Sequence, residues 1–242
     1  MAVNSEIGTI QNIAHIAEFT SRSGSLLHCD SAQAPCAMDL SGLTDCVDMM
    51  SISSHKMYGP MGIGALYVRR DLHKQIEPLV YGGGQQNGIR SGTLPTALCV
   101  GFGEAAVQAG SESTTNERPI IARRRDRFVE GLLTLPHKIW MNGPVSGPER
   151  HPGNANICFE GLSAHAILGA LQPDISASTG SACASGMNET SHVLRAIGLS
   201  DVDAESAVRF SLGRHTTDRD VDIAIELIGR AIKRLQNSAN KA

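Results

Sequence analysis

A lysine stands in the segment Ser53-Ser54-His55-Lys56-Met57-Tyr58-Gly59-Pro60, directly after a short apolar run and before a tight turn. Open α/β sheets place their ligands at the carboxyl ends of strands, so an amine held there is a candidate for covalent chemistry. A lone lysine in a loop is ordinarily a solvated surface group, and only its neighbours change that reading. Ser53 and His55 can donate hydrogen bonds to a phosphate, and a nearby cationic cofactor would lower the lysine pKa toward nucleophilicity.

Asp30 ends the run Leu26-Leu27-His28-Cys29 and is expected to be partly buried. A buried carboxylate needs a cationic or hydrogen-bonding partner. A protonated pyridine nitrogen is one such partner, and keeping it charged makes pyridoxal phosphate (PLP) an electron sink. Gln33, three residues on, could donate to the ring oxygen. Taken alone, Asp30 reads equally well as a cap for the residues after Ser31.

Three further segments carry polar chemistry. Gly82-Gly83-Gly84 opens a stretch ending in Arg90-Ser91-Gly92-Thr93. There, glycines let backbone N–H groups approach an anion, and Arg90, Ser91 and Thr93 are candidate phosphate donors; most glycine-rich loops are only turns. Ser178-Thr179-Gly180-Ser181-Ala182-Cys183-Ala184-Ser185-Gly186 is too small and polar for core, so its cysteine is expected to be exposed and able to swing toward a site. The other five cysteines (29, 36, 46, 99 and 158) are expected in apolar settings. Arg209, in Val208-Arg209-Phe210-Ser211-Leu212, lies inside a strand-like run and needs a carboxylate. A clamp on an amino-acid substrate fits better than an internal salt bridge.

Elements to position these groups alternate between strand-like and helix-like runs, an α/β pattern. Helices are expected near 10–20, 101–109, 120–135 and 164–171, and strands near 25–29, 47–52, 62–68, 154–159 and 207–211. The polar stretch 110–118 reads as a boundary or surface loop. In the last helix Thr217 and Asp220 make a capping-box-like start, and Val221, Ala224, Ile225, Ile228, Ile232 and Leu235 form one apolar stripe.

With 242 residues, 41% hydrophobic and 19% charged, the chain has the composition of an ordinary globular protein. A net charge of −3 gives no electrostatic reason to expect nucleic acid or an anionic membrane as partner. The first residues show neither a basic start nor an apolar stretch, so no signal peptide is expected. Scattered cysteines without a CxxC pair argue against structural zinc and a disulfide framework, so no metal site is expected and a reducing cytosol fits best.

Taken together and in order, these segments resemble the cysteine desulfurases of the NifS and IscS type, within the class V aminotransferase-like PLP enzymes. The matching text is MAVNSEIGTIQ, HCDSAQ, SSHKMYGPMGIGALYVRR, GGGQQNGIRSGTLPT, GSACASG, SHVLRAIGL and SAVRFSLGR, and it covers nearly the whole chain. The resemblance implies an α/β chain of PLP fold type I. Residues 1–112 would be the carboxyl-terminal part of the mostly parallel large-domain sheet, and residues 113–242 a smaller α/β domain carrying the cysteine loop.

By the same resemblance, Lys56 carries the PLP, Asp30 partners its ring nitrogen, Gln33 bonds its phenolic oxygen, and Ser53 and His55 hold its phosphate. Thr93 reaches the phosphate of the neighbouring subunit in a homodimer. Arg209 holds the carboxylate of L-cysteine. Cys183 attacks the substrate sulfur, becomes a persulfide and leaves alanine. The sulfur then passes to an acceptor protein such as an iron–sulfur scaffold, for iron–sulfur cluster assembly or tRNA thiolation in the cytoplasm. Selenocysteine lyase or another class V enzyme is the neighbouring alternative.

Several positions depart from the family pattern. The Gly-Ala-Thr phosphate-binding turn and the histidine that stacks on the PLP ring belong to an earlier family segment and do not occur in this sequence. The expectation is therefore a truncated product that alone binds PLP poorly, a catalytically inactive remnant or an interaction protein. Ser5 replaces the second of two adjacent asparagines, Gln85-Gln86-Asn87 replaces a His/Gln-Glu-Arg run, and the carboxyl-terminal tail is short.

Overall fold

The computed structural model describes residues 1–180 and 190–239. They form two units: Met1–Val3 with Gln11–Thr115, and Asn4–Ile10 with Asn116–Ala242.

In the first unit, helix α1 (Ile13–Ser23) starts where the Asn12 side chain accepts a hydrogen bond from the His15 amide at 3.0 Å. It stops at Gly24, whose φ of 66° lets its N–H reach the Thr20 and Ser21 carbonyls. The Asn12 cap shifts the helix toward higher numbers than apolar spacing alone indicates. Strands β1 (His28–Asp30), β2 (Met49–Ser53) and β3 (Gly64–Val68) follow, in that order across one sheet. β1 and β2 are parallel with Asp30 opposite Ser51, and β3 returns antiparallel with Gly64 opposite Ser53. Buried Asp48, just before β2, ties all three together. Its Oδ2 accepts from the Leu27 amide at 2.6 Å, and its Oδ1 accepts from the Arg69 guanidinium just past β3.

After β2 the chain turns sharply. Ser54–Met57 makes a 3-10 turn, Tyr58 follows at φ 66°, and the Gly59 N–H donates to the Ser54 carbonyl at 3.0 Å. Gly59 has no room for a side chain: a Cβ there would run into Ser54 Oγ and lie 2.9 Å from the Ala105 Cβ. Ala105 belongs to α2 (Thr96–Ala109), and a Cβ at Gly101 of that helix would lie 3.1 Å from Pro60. Small residues on α2 therefore let it press directly on the turn that carries Lys56. α2 begins earlier than expected, straight after Pro95, where the missing proline N–H is harmless.

The second unit is built on β4 (Ile139–Asn142), β5 (Asn154–Phe159) and β6 (Ala207–Ser211), antiparallel with β5 in the centre and buried along its whole length. Its longer helices are α3 (Glu112–Leu133), α4 (Ala164–Leu171) and α7 (Asp218–Ala239). The short helices α5 (His192–Ala196) and α6 (Asp201–Glu205) precede β6. Phe128 and Leu132 of α3, Ile167 of α4 and Ile228 of α7 pack on Ile157, Phe159, Val208 and Phe210 of the sheet. The Phe210 ring stands edge-on to Phe128 at 5.2 Å and to Phe159 at 6.4 Å.

The capping box of α7 forms as the sequence indicates. The Thr217 amide donates to Asp220 Oδ2 at 2.8 Å, and the Asp220 amide donates to Thr217 Oγ1 at 3.1 Å. The loop expected over 110–118 is instead largely helical, because Ser111 Oγ accepts from the Thr114 amide at 3.3 Å and starts α3 at Glu112. Asn4–Ile10 joins the second unit through backbone bonds from Ile10 to Glu149 at 2.8 Å and from His151 to Gly8 at 2.7 Å. Among the described residues no helix is long and apolar enough to cross a membrane.

His151 sits beside Arg125, whose Nη1 donates to the His151 carbonyl at 3.1 Å. Burial, then the Arg125 and Arg150 charges, push the imidazole pKa down to about 4. Neutral His151 uses Nδ1 to accept from the Gly153 amide at 3.0 Å. Its folded pKa lies below the ordinary 6.5, so as pH falls from there toward 4 the unfolded chain takes up a proton that the folded one does not.

Two outcomes follow from this packing. Gly59→Ala should lower stability by about 2 kcal/mol through overpacking, whereas Gly103→Ala, whose Cβ meets nothing within 4 Å, should be neutral or stabilising. Urea denaturation followed by far-UV circular dichroism compares the two. The second unit should also lose roughly 2 kcal/mol between pH 7 and pH 4 through His151. Trp140 fluorescence in urea measures that loss, and His151→Gln should reduce it.

Candidate active site

Parallel pairing brings the carboxyl ends of β1 and β2 to the same edge of the first unit's sheet. Asp30 closes β1, Ser53 closes β2, and His55 and Lys56 stand in the turn that follows. Ser53 Oγ and His55 Nδ1 lie 3.0 Å apart, which ties the imidazole to the last residue of β2. The Lys56 side chain is exposed and forms no ion pair among the described residues. Its carbonyl accepts a hydrogen bond from Cys36 Sγ at 3.4 Å.

Asp30 is exposed, where partial burial was expected. β1 is an edge strand with period-two alternation, so Cys29 points inward while His28 and Asp30 point out. Asp30 Oδ1 accepts from the Ala32 amide at 2.9 Å. This is a turn contact and not a helix cap, because no helix follows Ser31 before the 3-10 turn Leu43–Asp45, and it occupies one of the two carboxylate oxygens. Gln33 is half-buried in the bend that follows.

The glycine-rich segment is partly committed to itself. Ser91 is buried, and its hydroxyl donates to the Gly83 carbonyl at 2.8 Å; Arg90 Nη1 donates to the Gly92 carbonyl at 3.2 Å. Ser91 is thus a brace of the loop, while Thr93 stays exposed. Gln86 and Asn87, part of the departure from the family run, both adopt left-handed backbone, with φ of 51° and 57°.

In the second unit Arg209 lies on β6, opposite Asn156. Its Nη1 donates to the Ser5 carbonyl at 3.0 Å and its Nη2 to Ser178 Oγ at 2.8 Å. Burial pushes the guanidinium pKa down, and the Glu6 carboxylate pulls it partly back up. A carboxylate partner was expected. Among the described residues Arg209 forms no ion pair, and a carbonyl and a hydroxyl satisfy it instead. Glu6, Ser178 and Ser191 were not singled out from sequence, because nothing local marks a glutamate or serine whose partner is far along the chain.

Cys183 falls outside the described residues. Of the other cysteines, Cys29 and Cys158 are buried as expected, and burial raises the Cys158 thiol pKa. Cys36, Cys46 and Cys99 are only half-buried: Cys36 lies in the loop after β1, Cys46 just past the 3-10 turn Leu43–Asp45, and Cys99 in the first turn of α2.

The donor set at the first sheet edge matches PLP in kind. An amine can hold an aldehyde, a carboxylate can face a pyridinium, and a hydroxyl with an imidazole can face a phosphate. The fit rests on Lys56 lying in the same turn as His55, directly after the Ser53–His55 pair.

The model of the aminotransferase class-V family matches residues 1–223, and the chain belongs to that family. It is 44% identical over 237 residues to the cysteine desulfurase IscS of Shewanella sp. (strain W3-18-1), an alignment covering 98% of this chain and 57% of that relative. A NifS-like protein of known structure superposes with a TM-score of 0.85 at 29% identity, over 96% of this chain and 60% of the other. The structure of SspA in complex with cysteine gives 0.67 at 33% identity, over 89% and 58%. The fold class is that of the NifS-like proteins, PLP fold type I, and the chain spans less than two thirds of these relatives' lengths. Within that fold the first sheet of this chain contributes one parallel pair, β1–β2, and one antiparallel pair, β2–β3.

Arg209→Ala should remove the shorter of the two hydrogen bonds to the Ser5 carbonyl, which keeps only the 3.5 Å bond from Asn154 Nδ2, and the donor to the Ser178 hydroxyl, and lower stability of the second unit by roughly 2 kcal/mol. The urea midpoint of Trp140 fluorescence reads this, because the chain has one tryptophan. An unchanged midpoint would show that the guanidinium does not hold these groups.

Proposed function

We propose that this chain carries the site of a PLP-dependent cysteine desulfurase, which converts L-cysteine to alanine and leaves the sulfur on the enzyme as a persulfide. The observation that carries the reading is the parallel β1–β2 pairing, which sets Asp30 and the Lys56 turn at one sheet edge. The similarity to IscS and to the cysteine complex of SspA supports the choice of substrate.

In this reading Lys56 holds the cofactor aldehyde, Asp30 lends its second oxygen to the ring nitrogen, and Gln33 donates to the ring oxygen. Ser53 and His55 hold the phosphate. PLP, when bound, supplies an electron sink that weakens bonds at the substrate carbons. Arg209 orients the substrate carboxylate. The Cys183 thiolate forms a bond to the substrate sulfur, the carbon–sulfur bond breaks, and a proton delivered to that carbon completes alanine. Enzyme thiol plus cysteine thus gives enzyme persulfide plus alanine, with no external oxidant.

Three further parts of the reading concern the assembled protein. Thr93 reaches the phosphate of a neighbouring subunit in a homodimer. The unit built on 1–112 binds the cofactor, and the one built on 113–242 presents the thiol. The persulfide passes to an acceptor protein in the cytoplasm, such as an iron–sulfur scaffold, for cluster assembly or tRNA thiolation.

Incubation with PLP and reduction by borohydride should place a pyridoxyl group on Lys56, detected by peptide mass spectrometry, and Lys56→Ala should lose it. With L-cysteine, the protein should release alanine and carry a persulfide on Cys183. Cys183→Ser should keep the Lys56 label and lose the persulfide. A persulfide surviving in that variant would move the nucleophile to another thiol. A folded protein whose Lys56 takes no label would overturn the reading in favour of a catalytically inactive remnant.

A further inference from the structure

Side chains alternate along β5, so Asn154, Asn156 and Cys158 face away from the larger core that Ile157 and Phe159 join. On that face a polar row crosses the sheet. Asn142 of β4 stands opposite Asn156 of β5, Asn156 opposite Arg209 of β6, and Arg209 opposite Ser178, which pairs with β6 through an isolated antiparallel bridge. Directly opposed residues of an antiparallel ladder project to the same face, so these four polar side chains stand side by side. Asn156 is fully buried and Asn142 nearly so. Buried polar groups must find partners, and here the row and the Ser5–Glu6 backbone supply them.

Asn142 Nδ2 donates to Asn156 Oδ1 at 2.7 Å, and Asn156 Nδ2 donates to the Glu6 carbonyl at 3.3 Å. Asn154 Nδ2 donates to the same carbonyl at 3.2 Å. The Ser5–Glu6 backbone is therefore fixed on β5, and the Ser5 carbonyl accepts from Arg209 Nη1 at 3.0 Å. At the other terminal nitrogen, Nη2 donates to Ser178 Oγ at 2.8 Å. Ser178 is itself locked to β6, because its amide donates to the Arg209 carbonyl at 3.1 Å and its carbonyl accepts from the Arg209 amide at 2.7 Å. The two side-chain bonds use one N–H on each terminal nitrogen and together fix the plane of the guanidinium. Of the five N–H groups of a guanidinium, the other three have no partner among the described residues.

We propose that Ser178 is a positioning residue, whose hydroxyl, held by the backbone bridge to β6, sets the plane of the Arg209 guanidinium for the carboxylate of the substrate. The proposal deepens the desulfurase reading and rests on Arg209 as the substrate ligand. A guanidinium gives a carboxylate two parallel N–H bonds only when its fork faces the oxygens. An arginine already held in one plane binds without first giving up its torsional freedom. The tie to Ser5 comes from a backbone carbonyl, whereas the tie to Ser178 depends on a single hydroxyl and can be removed alone.

Two readouts test this. In the protein without cofactor, nitrogen NMR of the arginine side chains follows Arg209, whose signals are assigned by their loss in Arg209→Lys. Its two terminal nitrogens should give separate signals where freely rotating arginines give one averaged signal. Ser178→Ala should merge the pair, and Ser178→Thr, which keeps the hydroxyl, should leave it separate. In the holoenzyme, Arg209→Lys should raise KM for L-cysteine about tenfold. Ser178→Ala should raise it about fivefold while kcat for alanine release holds within about twofold, and Ser178→Thr should restore KM. A hydroxyl with a structural role alone would lower the urea midpoint and leave KM unmoved. Should the alanine variant not fold, Ser178→Val decides the same point against Ser178→Thr, which has its shape and keeps the hydroxyl. Signals that stay separate without the hydroxyl, or a KM that responds to Arg209→Lys and not to loss of the hydroxyl, overturn the positioning role and leave the substrate reading intact. A KM unmoved by Arg209→Lys, or a parent protein without turnover, instead removes the reading of Arg209 as substrate ligand, and the proposal falls with it.

Discussion

The arrangement at the lysine depends on how a short parallel strand pair is held in register by Asp48. Parallel strands cannot be joined by a tight hairpin, so β1 and β2 need something besides a turn to align them. Asp48 is that element, accepting from the Leu27 amide ahead of β1 and from the Arg69 guanidinium after β3. With the register fixed, Asp30 and Ser53 end their strands at the same edge, and the chain must reverse between Ser53 and Gly64, which face each other across the β2–β3 pair. The 3-10 turn, the left-handed Tyr58 and the crowded Gly59 begin that reversal. Lys56 is exposed there because Ser54 and Met57 take the inward positions of the turn.

A different constraint governs the second unit. Arg209 occupies a strand whose neighbouring residues are core, and a guanidinium in that place must be satisfied by what surrounds it. The chain answers with a backbone carbonyl from Ser5 and a hydroxyl from Ser178 rather than with a close acid. Glu6 stays near enough to favour the charge and is itself occupied by Ser191. Neutral hydrogen bonds hold the arginine in place without neutralising it. A group so held keeps its attraction for a carboxylate, which suits the role proposed for it.

Much of the fold was legible where a local signal decides structure. The Thr217–Asp220 capping box and the apolar stripe of the last helix appear as the spacing indicates, because both are settled within one or two turns. Strand β5 sits at 154–159, as expected from the sequence. Legibility failed where one side chain decides a boundary. Asn12 moves the start of α1, and Ser111 turns an apparent loop into the first turn of α3. The exposure of Asp30 was misread for a related reason. The run before it is apolar, but β1 is short and at a sheet edge, so alternation rather than average hydropathy sets which residues face out.

By itself the sequence determined the chemical vocabulary of this protein: an amine after a strand, an acid and a glutamine after another, a cysteine among small residues, an arginine within a strand. Residue type and short spacing suffice for that, because pKa range, nucleophilicity and hydrogen-bonding capacity belong to the side chain. Only the tertiary structure decided which partners these groups have. Arg209 meets Ser5 across most of the chain, Glu6 meets Ser191, and Asn4–Ile10 joins the second unit although the residues on either side of it belong to the first. Such pairings are set by sheet register and burial. Those are properties of the packed whole, and no window of neighbouring residues contains them.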